Sequence, residues 1–295
     1  MRKNIILLLL AGLSLSVGAE KVKKINIEYN DNTATVSIDR SKVKKITFTS
    51  EYVPEVTPFT IDDVTFKMVK VEKGEFQMGS TEGDSDEKPV HKVTFTKDYY
   101  IGQTEVTQAL WKAVMGSNPS ANQDSDQLPV ENVSYNDITG TNGFLATLNA
   151  KIAESYKDKT YTFRLPTEAE WEFAARGGNQ SQGYTYSGSN NIDDVAWYSS
   201  NSSSKTHEVA GLKANELGLY DMSGNVWEWC QDWYGAYGNE DQTDPTGPTS
   251  GSYRVRRGGG WYDGARNCRS SYRNCIGPDD WYVNLGFRLV LVIPE

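Results

Sequence analysis

The run Gly218-Leu219-Tyr220-Asp221-Met222-Ser223-Gly224-Asn225-Val226-Trp227-Glu228-Trp229-Cys230 constrains the fold more than any other stretch. Gly224 and Asn225 accept left-handed backbone at low cost, so Asp221 to Asn225 reads as a tight turn. Val226-Trp227-Glu228-Trp229 then alternates, as a strand does when one face is buried. Asp221 and Glu228 are hard oxygen donors flanking the backbone carbonyls of that turn, a set suited to calcium. A hairpin carrying two solvated acids accounts for the same residues.

The N-terminus predicts a secretory signal peptide over residues 1–19. Arg2-Lys3 precede the apolar run Ile5–Leu13, and Val17-Gly18-Ala19 supplies small residues for cleavage. The apolar run is too short to span a bilayer. No cysteine follows it, so a lipid anchor is not expected, and the exported chain would be secreted, periplasmic or held at the cell surface. Losing two of the 30 basic residues leaves 28 against 39 acidic ones, a net charge of −11. That balance argues against nucleic acid or an anionic membrane surface as partner.

Residues 20–56 read as a small β segment and linker. Lys24–Tyr29 and Thr33–Ile38 alternate around Asn30-Asp31-Asn32, a hairpin signal. Lys45–Thr49 is a third short strand, and Pro54 and Pro58 mark the linker. The main domain is placed at residues 57–295, opening with strands at Thr65–Val71, Gly74–Gly79 and His91–Phe95. A helix capped by Thr104 is predicted through Met115, and a second runs from Ser134 towards Ala153. Thr167 and Glu170 form a capping box, and that helix ends at Arg176 because Gly177-Gly178 offers a left-handed exit. Glu168, Glu170 and Glu172 are read as capping, dipole and packing residues. The two histidines, His91 and His207, are too few and too scattered for a zinc or iron site. Residues 178–217 are rich in Gly, Ser and Asn; loops of that length are functional or held by ions.

Three further stretches join the opening run: Arg164–Gly178 (RLPTEAEWEFAARGG), Arg257-Gly258-Gly259-Gly260 and Gly286-Phe287-Arg288. Together they resemble the formylglycine-generating enzyme family, also called sulfatase-modifying factors, from about Phe59 to the C-terminus. The resemblance implies an irregular α+β fold related to C-type lectins, with few helices, short twisted sheets and long loops. It also implies structural calcium at Asp221, Gly224, Val226 and Glu228, and at a second set, Asn191, Ile192, Asn201 and Ser203. Asn201 stands where the enzymes usually carry Asp.

The oxidases of this family bind copper(I) through two cysteines just after the RGG segment, because soft thiolates select that ion. Here Asp263 takes the first position. Cys268 is the one candidate for the catalytic thiol, so the fold is expected without the oxidase chemistry. Three cysteines suggest one bridge and one spare thiol, and Cys230 and Cys268, both in motif strands, are expected to pair; two buried free thiols are the alternative. Between the motif positions lie Tyr262, Asp263, Gly264, Tyr272, Asn274, Ile276, Trp281, Tyr282 and Asn284. They resemble the C-terminal variable positions of lectin-like proteins diversified by retroelements, although an irregular family loop fits them too. Tyr and Trp among Gly, Asn and Asp give rigid contact area at small entropic cost. The sequence therefore points to a calcium-braced domain that binds a protein or glycan through these C-terminal loops. A formylglycine-generating oxidase using copper, or another oxidative enzyme on the same fold, is the alternative.

Overall fold

The computed structural model describes Lys24–Glu28, Thr35–Asp39 and residues 52–292. The predicted signal segment and the predicted strand Lys45–Thr49 lie outside the described residues. β1 (Lys24–Glu28) and β2 (Thr35–Asp39) pair antiparallel, Lys24 opposite Asp39, and belong to a separate unit, Met1–Glu51.

The second unit, Tyr52–Glu295, begins with a hairpin rather than a linker. β3 (Val56–Ile61) and β4 (Val64–Val71) close through Asp62-Asp63, whose φ angles of 45° and 68° give the left-handed two-residue turn that matches strand twist. Pro58 therefore lies inside a strand. It is tolerated because β3 is an edge strand, where a missing N–H leaves no ladder partner unpaired. The sheet continues through β7 (Tyr99–Gly102), β16 (Val290–Val292) and β8 (Thr162–Arg164) in the order β3-β4-β7-β16-β8, so the C-terminal strand sits in its interior. β5 (Glu75–Met78) and β6 (His91–Thr94) form a second sheet with β12 (Gln242–Thr243).

Four α-helices lie among the described residues. α1 (Gln108–Met115) is capped by Thr107, whose hydroxyl accepts from Leu110 N–H, and not by Thr104 as predicted; Gly116 at φ 76° ends it. The single helix expected from Ser134 is two: α2 (Tyr135–Thr139) and α3 (Phe144–Ser155). Gly140 and Gly143 bracket the break, since glycine gains least from staying helical. α4 (Glu168–Ala175) has the predicted Thr167/Glu170 capping box and leaves through Gly177 at φ 91°.

Two apolar clusters form the core. One joins α1 and α3 to the five-stranded sheet through Trp111, Phe144 and Phe287, with Trp111 stacked on Phe144 at 5.1 Å and Phe287 edge-on to Phe144 at 5.2 Å. The other surrounds α4 through Trp171, Phe173, Val69 and Cys230. Between them runs a four-stranded sheet, β14 (Arg273–Ile276), β13 (Arg254–Arg257), β11 (Trp227–Trp233) and β15 (Leu285–Gly286). It carries the motif residues. Two short parallel strands, β9 (Ala196–Trp197) and β10 (Ser223–Gly224), tie the long loop to the opening motif.

Candidate functional site

The opening motif folds as the turn its residues dictate. Asp221, Gly224 and Asn225 hold φ of 58°, 80° and 60°. Glycine is required at 224, because a Cβ there would meet the Trp197 carbonyl oxygen at 2.4 Å. Neither acid is solvated: Asp221 is 4% exposed and Glu228 is fully buried. Glu228 accepts from Arg288 Nε and Nη2 at 2.6 Å each and from Trp171 Nε1 at 2.6 Å, so both its oxygens are occupied by donors. Asp221 accepts from Ala210 N–H at 2.7 Å. A third acid, Glu105, faces the same turn and accepts from Asn225 Nδ2 at 2.7 Å and Val226 N–H at 3.0 Å. Burial, with Asp221 and Glu228 nearby, pushes Glu105 well above the usual carboxylate range, and burial raises Asp221 to about 6. Three buried carboxylates thus share one arginine.

This arrangement offers a divalent cation negative charge. Glu228 accepts on both oxygens from Arg288 and Trp171, and Glu105 on both from Asn225 and Val226, while Asp221 takes a donor on one oxygen only among the described residues. The second expected set does not fit. Asn201 Oδ1 accepts from Tyr198 N–H at 2.9 Å and its Nδ2 donates to the Ala196 carbonyl at 2.9 Å, so the amide closes the loop by itself. Asn191 Nδ2 is tied to Asp194, and Ser203 holds a left-handed turn at φ 55°. With no carboxylate in the set, a calcium ion there would lack charge compensation. Among the described residues, the acids that do converge are Asp84, Asp86 and Glu87. Their charge is met by Arg266 on Asp84 and by Arg269 on Glu87.

The three acids of α4 act as packing anchors. Glu170 grips Arg164, Glu168 accepts from Arg273 Nε and Nη2 at 2.7 and 2.6 Å, and Glu172 meets the fully buried Arg257. The arginines of the C-terminal frame therefore bind the helix to the four-stranded sheet.

The predicted ligand-binding positions separate into two groups. Tyr262, Trp281 and Tyr282 are 48%, 59% and 45% exposed, and Val283, between Tyr282 and Asn284, is 39% exposed. Gly264 is also exposed, and Asn274 is half-buried beside Arg256. By contrast Asn284 is fully buried, and Ile276 and the half-buried Tyr272 pack on the first apolar cluster. On β14 Asn274 and Cys275 are half-buried while Ile276, at its end, is buried in the core. Asp263 turns under the face. It accepts from Trp227 Nε1 at 2.8 Å, Gly260 N–H at 3.1 Å and Asn284 Nδ2 at 3.1 Å. Trp261 Nε1 donates to the Val283 carbonyl at 3.0 Å, which joins the two exposed loops. Below Tyr282, Asn132 N–H donates to its carbonyl at 3.0 Å. The neighbouring Glu131, fully buried and raised by burial to about 7, accepts from Ala121 and Asn122 N–H groups. The aromatic loops are thus fixed by hydrogen bonds before any ligand arrives.

The expected Cys230–Cys268 bridge is not formed: Cys230, Cys268 and Cys275 are free thiols. Cys230 points from β11 into the second apolar cluster, while Cys268 packs against Gly259 at the end of the Ala265–Cys268 turn. Burial, with Asp263 adding to it, pushes the Cys268 thiol far up, which keeps it protonated and poor as a nucleophile or copper ligand. His91 is held by a structural contact from Nδ1 to the Pro89 carbonyl at 3.1 Å, and stands edge-on to Tyr237.

A sheet-rich irregular α+β fold carrying the GNVWEW turn, the RGG segment and the GFR arginine defines a sulfatase-modifying-factor type of domain. Residues 56–293 match the model of the "Sulfatase-modifying factor enzyme 1-like domain", and the chain belongs to that family. It is 36% identical over 261 residues to a protein named chaperone protein LppX from Paenibacillus barcinonensis, covering 73% of this chain and 88% of that one. It is 33% identical over 206 residues to a formylglycine-generating enzyme from Thermomonospora curvata, covering 62% of this chain and only 61% of the enzyme's length. Among solved structures it superposes on Treponema denticola variable protein 1 with a TM-score of 0.72 and 36% identity, covering 81% of this chain and 99% of that one. Among the described residues, no helix is long and apolar enough to cross a membrane.

Proposed function

We propose that this chain is an exported, calcium-braced, non-oxidising member of the family that binds a protein or glycan through Tyr262, Trp281, Tyr282 and Val283. The observation that carries the reading is the exposure of these four large side chains on loops tied together beneath by Asp263, Asn284 and Trp261. Aromatic side chains held in place before contact lose little entropy on binding. The similarity to a protein named as variable supports a binding role, and that to one named as a chaperone supports a protein partner. The half-buried Arg256 lies over the Trp227 ring at 4.7 Å and gives the face a cation beneath its aromatic rim.

The test is a screen of the wild-type chain on arrays of surface proteins and glycans, repeated with Tyr262→Ala, Trp281→Ala and Tyr282→Ala combined. Binding is expected to fall at least about 30-fold, since aromatic anchors commonly carry about 2 kcal/mol or more each. The melting temperature should stay within about 4 °C, because exposed residues contribute little to the core. Tyr272 is left out of the variant because it packs inward. Undiminished binding would place the ligand elsewhere.

The oxidase alternative predicts copper-dependent conversion of a cysteine peptide to formylglycine. With Asp263 turned inward and Cys268 a buried thiol, weak copper(I) binding and no aldehyde are expected. Turnover by the purified chain would reverse the reading.

Calcium is proposed at this turn, on Asp221 and Glu228 with the carbonyls of Gly224 and Val226 and with Glu105 alongside, where it would offset the acids that Arg288 leaves unmatched. Its role is bracing, with no step in any reaction. Chelator should lower the melting temperature, by the equivalent of about 3 kcal/mol if calcium was present at a hundred times its Kd. Asp221→Asn should shrink that response at least by half. A midpoint indifferent to chelator in the wild type would remove calcium from the account.

A further inference from the structure

A cavity of about 440 Å³ lies at the start of α4, beside the loop that follows β11. Its walls include His91, Glu168, Asp232, Tyr237, Gly247 and Arg273. That volume suits a small molecule. The polar groups in it are unequally occupied. Glu168 is saturated by Arg273 and by the Tyr237 hydroxyl at 3.1 Å. Arg273 spends its remaining donors on the carbonyls of Asp86 and Gly235, at 3.2 and 2.8 Å. Asp232 is 4% exposed and uses one oxygen, Oδ2, to accept from Glu168 N–H at the start of α4, at 2.9 Å. Its Oδ1 lies beside Gly247, where an added Cβ would come within 2.8 Å of it, and takes no hydrogen bond from the described residues.

An anionic ligand would meet the Glu168 carboxylate here and find the arginine already engaged. An apolar ligand would leave Oδ1 unpaired in a desolvated pocket, which costs about 1–3 kcal/mol. A group that brings both positive charge and N–H donors removes the deficit. We infer that this cavity is a second binding site, for a small organic cation with a primary ammonium group held by Asp232. The site is independent of the aromatic face.

The charged groups around Asp232 agree with this. Glu168 and Glu170 face it from α4, Arg273 from β14, Arg254 from β13 and Arg164 from β8, with His91 across the cavity. Burial, then Glu168, raise Asp232 to about 8, so without a cationic partner it is a neutral acid at pH 7. Binding an ammonium ion ionises it, and the proton leaves to solvent.

The test uses n-butylammonium as probe and the full chain, by titration calorimetry at pH 6.5 in two buffers of different ionisation enthalpy. Wild type is expected to bind it with release of close to one proton. Asp232→Asn keeps an oxygen for the Glu168 N–H and cannot ionise; it should bind at least about 10-fold more weakly and release none. Ala236→Trp, at an exposed position on the cavity wall, should block binding without disturbing the core. Neutral n-butanol should bind neither protein. Equal affinity for wild type and Asp232→Asn, equal binding of butanol and butylammonium, or binding without proton release would each overturn the assignment.

Discussion

Arg288→Ala is expected to lower the melting temperature by about 6–20 °C. Arg288 is fully buried and joins three parts of the chain. Its guanidinium holds Glu228 bidentately on β11 and donates to the carbonyls of Gly102, at the end of β7, and Tyr220, at the entry to the motif turn, both at 2.9 Å. Removing it strands those acceptors. It also leaves Glu105, Asp221 and Glu228 without a cation. Breaking one partner of a buried pair costs about 3–5 kcal/mol, against a total stability of about 5–15 kcal/mol. Arg288→Lys keeps the charge but lacks the planar fork, so it should fall between alanine and wild type. Thermal melts of the three proteins at one calcium concentration decide the matter. An alanine variant melting within about 2 °C of wild type would mean that Glu228 is satisfied by something other than this arginine.

What could be read from the sequence was what one element decides alone. The Thr167/Glu170 box, the exit through Gly177 and the left-handed turn at Gly224-Asn225 each follow from local backbone chemistry. The family likeness supplied the architecture. What escaped depends on partners far apart in the chain. Glu105 lies 120 residues before Asn225, to which it is bonded. Arg288 lies 60 residues beyond Glu228. No periodicity reports such a pair, and an acid next to Val106 looks the same whether it faces water or a buried arginine. The same blindness misplaced Asn284, Ile276 and Tyr272. Their residue types suit a binding loop, but Ile276 and Tyr272 pack on the first apolar cluster and Asn284 closes against Gly260. Val283, between Tyr282 and Asn284, is held on the face by the Trp261 bond to its carbonyl. The Gly140–Gly143 break was legible, since glycine disfavours helix at both positions, but the apolar spacing of Phe144, Leu148 and Ile152 masked it.

Asp232→Asn should make the protein more stable than wild type at alkaline pH and nearly equal to it near pH 4. The folded-state value of about 8 stands above the carboxylate's ordinary 3.8, because burial and Glu168 oppose ionisation. Between those two values the folded chain binds more protons at this site than the unfolded chain does. Stability contributed by Asp232 is therefore complete below about pH 4, declines as pH rises, and is gone above about pH 8. Each unit of that window costs up to about 1.4 kcal/mol. Glu168 and Glu87 work in the opposite sense. Their arginine partners hold them below the usual range, so their stabilisation is present at neutral pH and is lost on acidification. Wild type should accordingly pass through a maximum on the acidic side of neutrality, while Asp232→Asn, which retains Glu168 and Glu87, should hold its stability to higher pH. Denaturant melts from pH 4 to 9, without amines and at fixed calcium, measure the difference between the two proteins directly. That difference is expected to grow steadily in favour of the variant from about pH 4 to 8 and then level off. Parallel curves would show that Asp232 ionises at an ordinary pH in the folded chain, and that the wall of the cavity is better solvated than its 4% exposure implies.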